Sequence, residues 1–387
     1  MARQTANIGQ LLIIGFDGTK MTARLSSLLT RLQPAGVILF ARNIKDAKQT
    51  WSLLSDCQKC VSTPLFTCVD LEGGSVDRFR DVLGPTPSAA DVFSTADRKL
   101  FQKHGQILGD NCRALGFNVD FAPVLDLAFE ASRSVMSSRA VSANPREAAN
   151  YAREFLAGLR AAKVLGCGKH FPGLGEGTLD SHHDLPVIDK PLKKLWSEDM
   201  VPYRALRAQL PMVMVSHAAY PMVKKNRTPA SLSITWITNI LRKRIGYRNL
   251  IVSDDLEMGG VLSAAPVGDA AVEFICAGGD LCLVCHREDY IMQAYEELLK
   301  AAENDSKFAK RAAEAARRVL DVKNKSQQVL KRRNPPSASM VKKLSRKLWE
   351  FGEQVRVEAL VRADADRRDR TGKPTKNPAK NPRQKRA

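Results

Sequence analysis

Histidine is scarce in this chain: 6 residues among 387. Long apolar runs are lacking too, and acids fall well short of bases, 41 against 60. Each shortage excludes something. No window reaches the roughly 18 uninterrupted apolar residues of a membrane-spanning helix. The N-terminal apolar run LLIIGF is cut by an Asp and has no small-residue cleavage site after it, so a first strand is expected there instead of a secretion signal, and the protein is expected to be cytoplasmic. H-E-x-x-H, EF-hand spacing and tight His-x-His pairs do not occur, so neither metal nor cofactor is expected. The eight cysteines include two C-x-x-C pairs, Cys57/Cys60 and Cys282/Cys285. The second lies in DLCLVCH, where strand alternation sends residues three apart to opposite faces, so buried reduced thiols explain it better than zinc.

What is present is ample apolar material, 44% of the chain, in a repeating order. Short runs (QLLIIGFDG, GVILFAR, LFTCVD, NVDFAP, GCGKHFP, MVMVSH, LIVSDD and LCLVCH) alternate with longer amphipathic stretches such as AREFLAGLRAAKVLG and SITWITNILRKRIG. Strands alternating with helical patterns predict parallel βαβ units, and eight of them predict a closed (β/α)8 TIM-type barrel of class α/β. A barrel domain is expected over 1–330, with its last helical pattern running from about Glu288 to Leu330. A helical extension follows over 331–360. From Val361 to Ala387 there are ten Lys/Arg and three Asp, with no aromatic residue, so a disordered basic tail is expected over 361–387. That tail offers a contact for RNA or an anionic surface, with a solvated tail the default. The remaining +12 of the net +19 suits an anionic substrate or simply solubility.

Nearly every strand run ends in an ionisable residue: Arg42, Asp70, His170, His217, Asp254 and His286. In such barrels the C-terminal strand ends and the loops after them build the site. VDLEGGSVDRFR sets Asp70 and Arg78 around a Gly-Gly turn, which suits charge-assisted binding of a polar ligand or a mere surface ion pair. GKHFPG places Lys169 and His170 at the end of the fifth strand. Three of the six histidines fall within KHFPGLGEGTLDSHHDLP. There Asp180 stands two residues before His182, where it can accept the imidazole Nδ1–H and leave Nε2 free for proton transfer, or simply form an Asx turn. His183 and Asp184 are read as spectators. LIVSDDLEM ends the seventh strand in Asp254-Asp255, of which alternation lets one face a ligand squarely. A carboxylate opposite a proton donor suits a retaining glycosidase.

With IGQLLIIGFDGT, GVILFARNI, NVDFAPVLDL, KHFPGLG, DSH, MVSHAAYP, TPASLS and LIVSDDLEM in this order, the chain resembles a glycoside hydrolase family 3 β-N-acetylhexosaminidase of the bacterial cell-wall recycling type, over about residues 8–320. The resemblance implies Asp254 as nucleophile and His182 as general acid/base oriented by Asp180. It implies that Asp70, Arg78, Lys169 and His170 hold an N-acetylglucosamine ring, with Arg139, His217 and Met258 also in the site. It implies a carbohydrate partner, an N-acetylglucosaminyl oligosaccharide or a muropeptide; a monomer is expected. Leu174 stands where a His is common, Ser75 where an Arg is common and Val141 where a Phe is common. These departures leave the aglycone open. Phosphorolysis, another family 3 glycosidase activity, an acetamide nucleophile polarised by Asp254 and Asp255, and a catalytically silent sugar- or nucleic-acid-binding protein are the rival readings.

Overall fold

The computed structural model describes residues 7–177, 185–326, 330–331 and 333–371. Asp180, His182, His183 and Asp184 therefore lie outside the described residues, as does the tail from 372 onward. Eight parallel strands close on themselves: β1 (Leu12–Ile14), β2 (Gly36–Ile38), β3 (Phe66–Val69), β4 (Val119–Asp120), β5 (Leu165–Phe171), β6 (Met212–Val215), β7 (Leu250–Asp255) and β8 (Leu281–Val284). Each pairs with its sequence neighbour, and β8 pairs with β1. This is the (β/α)8 barrel expected from the sequence.

The strands read as continuous apolar runs because both of their faces are buried. Ile13, Ile38, Phe66, Cys68, Val119, Cys167, Met212, Met214, Leu250, Val252, Leu281 and Leu283 fill the barrel interior. The residues between them, such as Ile14, Val37, Val213, Ile251, Cys282 and Val284, pack outward beneath the helices. Cys285 returns to the interior, so Cys282 and Cys285 do face opposite sides. Gly36 is required by close approach, since a Cβ there would lie 2.5 Å from the Phe66 carbonyl oxygen.

Helix starts follow from their caps. Thr22 accepts from the Leu25 N–H, Asp46 from Gln49, Asn144 from Arg146, and Ser88 and Asp91 form a capping box. The helical pattern expected without a break from Glu288 is two helices, Glu288–Asn304 and Ser306–Lys325. Asp305 is extended between them and caps the second by accepting the Lys307 N–H. The stretch after β6 that reads as a helix is wound as a π-helix over Thr235–Arg244.

The last helix, Ala338–Thr371, passes the boundary expected at 360. The run VRADADRRDR contains no Gly or Pro, and the first breakers after it are Gly372 and Pro374. Leu348, Phe351 and Val355 bury its inner face against the helices Arg80–Leu83, Ala89–Ser94 and Arg98–Leu115. Among the described residues, no helix is long and apolar enough to cross a membrane.

The end of the barrel opposite the strand C-termini is plugged by Lys323, 2% exposed. Its Nζ donates to Gln10 Oε1 at 2.8 Å and stands 5.2 Å from the centre of the Phe66 ring. Burial without an acid pushes its ammonium down to about 7. In the unfolded chain it titrates near the ordinary lysine value, about 10.4. Between these values the unfolded state binds the extra proton, so this group makes stability rise with pH from about 7 to about 10. Denaturant unfolding should therefore show wild type gaining on the order of 3 kcal/mol relative to Lys323→Met between pH 7 and pH 10. Parallel pH profiles for the two proteins would contradict this.

Candidate active site

At the C-terminal end of the strands lies a cavity of about 170 Å³. Asp70, Arg78, Arg139, Lys169, His170, Asp254 and Met258, all selected from the sequence, line it together. Glu72, Asp255, Leu174 and His286 line it as well.

The hairpin after β3 delivers the first acids. Leu71–Gly73 pairs antiparallel with Val76–Asp77 through a Gly73-Gly74 turn in which both residues have positive φ, +85° and +60°. A Cβ on Gly73 would stand 2.3 Å from the Pro87 carbonyl oxygen, and one on Gly74 2.6 Å from Ser88 Cβ. Only glycine permits this close folding of the turn onto residues 86–88. Ser75, at the tip, is exposed.

Glu72, not singled out from the sequence, is the centre of the charge network. Its carboxylate takes a two-point contact from Arg139, at 2.7 Å from Nε and 2.9 Å from Nη2. The Lys169 ammonium lies 2.7 Å from Glu72 Oε1 and 2.7 Å from Asp70 Oδ1. Burial opposes charge on both Glu72 and Lys169, yet their partners win. Glu72 is held far below the usual carboxylate range by Arg139 and Lys169, and Lys169 well above the usual lysine value by Asp70 and Glu72. The available signal was an acid directly before Gly-Gly in the same motif as Asp70. Beneath this network Asp120 accepts the Leu71 N–H at 3.0 Å. Burial pushes its carboxyl well above the usual range.

His170 is oriented by a second residue missed in the sequence, Asp126 in NVDFAPVLDL. The His170 Nδ1–H donates to Asp126 Oδ2 at 2.6 Å, and Asp126 also accepts the N–H groups of His170 and Leu174. This fixes the ring and leaves Nε2 for the cavity. Arg78 lines the wall with its guanidinium carbon 5.7 Å from the centre of the Phe40 ring. Among the described residues its Nε has no hydrogen-bond partner. Arg42, by contrast, spends its donors on Asp17 and the Cys285 carbonyl.

Strict alternation fails at the end of β7. Leu281 pairs with Val252 but Leu283 with Asp255, so β7 carries one extra residue. Through that bulge both Asp254 and Asp255 reach the cavity. Burial favours the neutral form of Asp254, but His170, the Asp255 N–H and Lys169 outweigh it and hold the carboxyl below its usual range. Asp254 is therefore ionised at neutral pH. His286 stands 3.4 Å from Asp255 Oδ2 and stacks on Phe40.

His217 does not line the cavity. It is fully buried, its Nε2–H donates to the Asp255 carbonyl at 3.0 Å, and its Nδ1 accepts from the Ser231 hydroxyl at 2.7 Å. Burial keeps it neutral. With both nitrogens engaged, it is not available to a ligand, and it supports the Asp254-Asp255 backbone instead. Among the described residues no group of three or more His, Cys, Asp or Glu is arranged to hold a metal ion.

A carboxylate held ionised, rings of charge-assisted donors and acceptors, and apolar walls from Met258 and Leu174 together suit a polyhydroxylated ligand with apolar ring faces. The family described as "Glycosyl hydrolase family 3 N terminal domain" matches residues 5–322. The chain is 37% identical over 294 residues to a Beta-hexosaminidase of Bordetella avium, covering 74% of this chain and 83% of that one. It is 33% identical over 299 residues to a Beta-hexosaminidase of Idiomarina loihiensis, covering 76% and 89%. Among solved structures, a glycoside hydrolase family 3 beta-N-acetylglucosaminidase from Paenibacillus superposes with a TM-score of 0.82 at 29% identity, covering 91% of this chain and 68% of that one. A Beta-N-acetylhexosaminidase from Beutenbergia cavernae superposes at 0.76 with 26% identity, covering 83% and 98%. A beta-glucoside phosphorylase at 20% identity shares the fold. The chain belongs to glycoside hydrolase family 3.

Proposed function

We propose that the protein is a retaining, exo-acting β-N-acetylhexosaminidase that releases terminal β-linked N-acetylglucosamine from peptidoglycan fragments. The observation that carries the reading is Asp254, a carboxylate held ionised in a small cavity whose other polar groups are already oriented. Similarity to enzymes named for hexosaminidase activity supports the sugar. The aglycone follows from the resemblance to the cell-wall recycling type.

In this reading Asp254 attacks the anomeric carbon while His182 protonates the departing glycosidic oxygen, with Asp180 accepting the imidazole Nδ1–H. The bond from carbon to the aglycone oxygen breaks as the bond to Asp254 forms. His182, now neutral, then removes a proton from water, and the water oxygen displaces Asp254 with net retention. Asp70, Glu72, Lys169, Arg139 and Arg78 receive hydroxyls and the acetamide by charge-assisted hydrogen bonds. His170, fixed by Asp126, contributes Nε2. Met258 and Leu174 meet the apolar faces.

The direct assay compares 4-nitrophenyl β-N-acetylglucosaminide with the matching β-glucoside, with and without phosphate. Cleavage of the first alone, unaffected by phosphate, is expected; phosphate-dependent release of a sugar 1-phosphate would identify a phosphorylase instead. Asp254→Ala should lower kcat by roughly 10⁴-fold or more on every substrate. Full activity in that variant would remove Asp254 from its role. Glu72→Gln leaves Lys169 and Arg139 buried with a weaker partner, a loss on the order of 3 kcal/mol of stability. Its KM should rise several-fold, and an unchanged KM and melting temperature would show that the network is dispensable.

A further inference from the structure

Away from the cavity, a second buried cation joins the chain on either side of residues 178–184. Lys190 is 3% exposed. Its Nζ lies 2.7 Å from Asp199 Oδ2, 2.7 Å from Glu198 Oε2 and 3.1 Å from Glu176 Oε1. It also stands 4.4 Å from the centre of the Phe129 ring. A buried ammonium is costly unless paired, so this point is held only while these acids surround it.

The placement of the partners is informative. Glu176 belongs to the chain that leaves β5 toward residues 178–184. Lys190 belongs to the chain that follows them, and Glu198 and Asp199 close the helix Leu192–Ser197. The following chain is itself fastened: the Ile188 N–H donates to the Ala219 carbonyl at 2.9 Å, and the Ala219 N–H donates to the Pro186 carbonyl at 2.8 Å. On the preceding side, a Cβ on Gly173 would stand 2.6 Å from Asp199 Cβ, so that chain runs directly against the same acid. One ammonium thus ties together the two chain ends between which Asp180 and His182 stand in the sequence. None of Lys190, Glu176, Glu198 and Asp199 lines the catalytic cavity.

We propose that Lys190 is a positioning residue for proton transfer, fixing both ends of the D-S-H segment through Glu176 on one side and Glu198 and Asp199 on the other. The inference rests on the reading of His182 as the acid/base. A purely structural role would lower stability, or activity on all substrates alike. A positioning role falls most heavily on substrates that need protonation of a poor leaving group.

The test uses the full chain and kcat/KM, which reports the glycosylation step, on 4-nitrophenyl and methyl β-N-acetylglucosaminides. His182→Ala should lose roughly 10²-fold or more on the methyl glycoside beyond its loss on the nitrophenyl one. Lys190→Met should lose about 10-fold more on the methyl glycoside than on the nitrophenyl one, and Glu176→Gln about 3-fold more. Glu176→Gln keeps Lys190 paired with Glu198 and Asp199, so it decides the matter if Lys190→Met does not fold. Equal losses on the two substrates, or none, in a folded Glu176→Gln beside a leaving-group-dependent His182→Ala would overturn the role of Lys190. Absence of that dependence in His182→Ala would overturn the acid/base reading, and this inference with it.

Discussion

The site depends on a buried exchange of charge in which Asp70, Lys169, Glu72 and Arg139 hold one another. Each of these ions would be strongly disfavoured alone in so dry a place, and each is stabilised by groups arriving from a different segment. Asp70 directly follows β3, Glu72 comes from the hairpin after it, Lys169 from β5 and Arg139 from the loop after β4. Removing any one leaves a buried charge uncompensated. The network therefore welds three strand ends into a single wall, with its polar atoms aimed before any ligand arrives. Preorganisation of this kind is what makes polar groups effective in a reaction, because no reorientation is needed when charge develops.

Support for the wall extends behind it to the far end of the chain. Phe351, on the helix Ala338–Thr371, stacks on His104 at 5.8 Å between ring centres. His104 Nδ1 pairs with the Tyr151 hydroxyl at 2.7 Å, and burial pushes the His104 ring down to about 3, so it stays neutral. Its Nε2 lies 3.3 Å from where a Cβ on Gly73 would sit. The hairpin that carries Glu72 thus rests on a dry aromatic layer. The C-terminal helix completes that layer, although it lies beyond the residues 5–322 matched by the family.

The barrel was legible because parallel strands buried on both faces leave uninterrupted apolar runs, and because helices between them repeat with a different period. Asp70, Lys169, His170 and Asp254 were legible because an ionisable residue that ends such a run lands at the mouth. Glu72 and Asp126 were not, since their importance comes from what they contact across the barrel and not from local pattern. The bulge at Asp254-Asp255 hid in the same way: one extra residue in a ladder shows only in its pairing. His217 ends its strand run as His170 does, yet Ser231 and the Asp255 carbonyl occupy both of its nitrogens, and a sequence does not display that burial. The contribution of Asp180 and His182 rests on the resemblance, because both lie outside the described residues.

The central claim is that Asp254 becomes covalently bound to the sugar. A β-N-acetylglucosaminyl fluoride bearing a second fluorine on the ring loses its anomeric fluoride readily, while the ring fluorine slows hydrolysis of the resulting glycosyl ester. Mass spectrometry of the protein after incubation, followed by peptide mapping, reads the outcome directly. The account predicts one fluorinated sugar per chain, on the peptide containing Asp254. An enzyme that turns over N-acetylglucosaminides yet carries no adduct, or carries it on another residue, would contradict it.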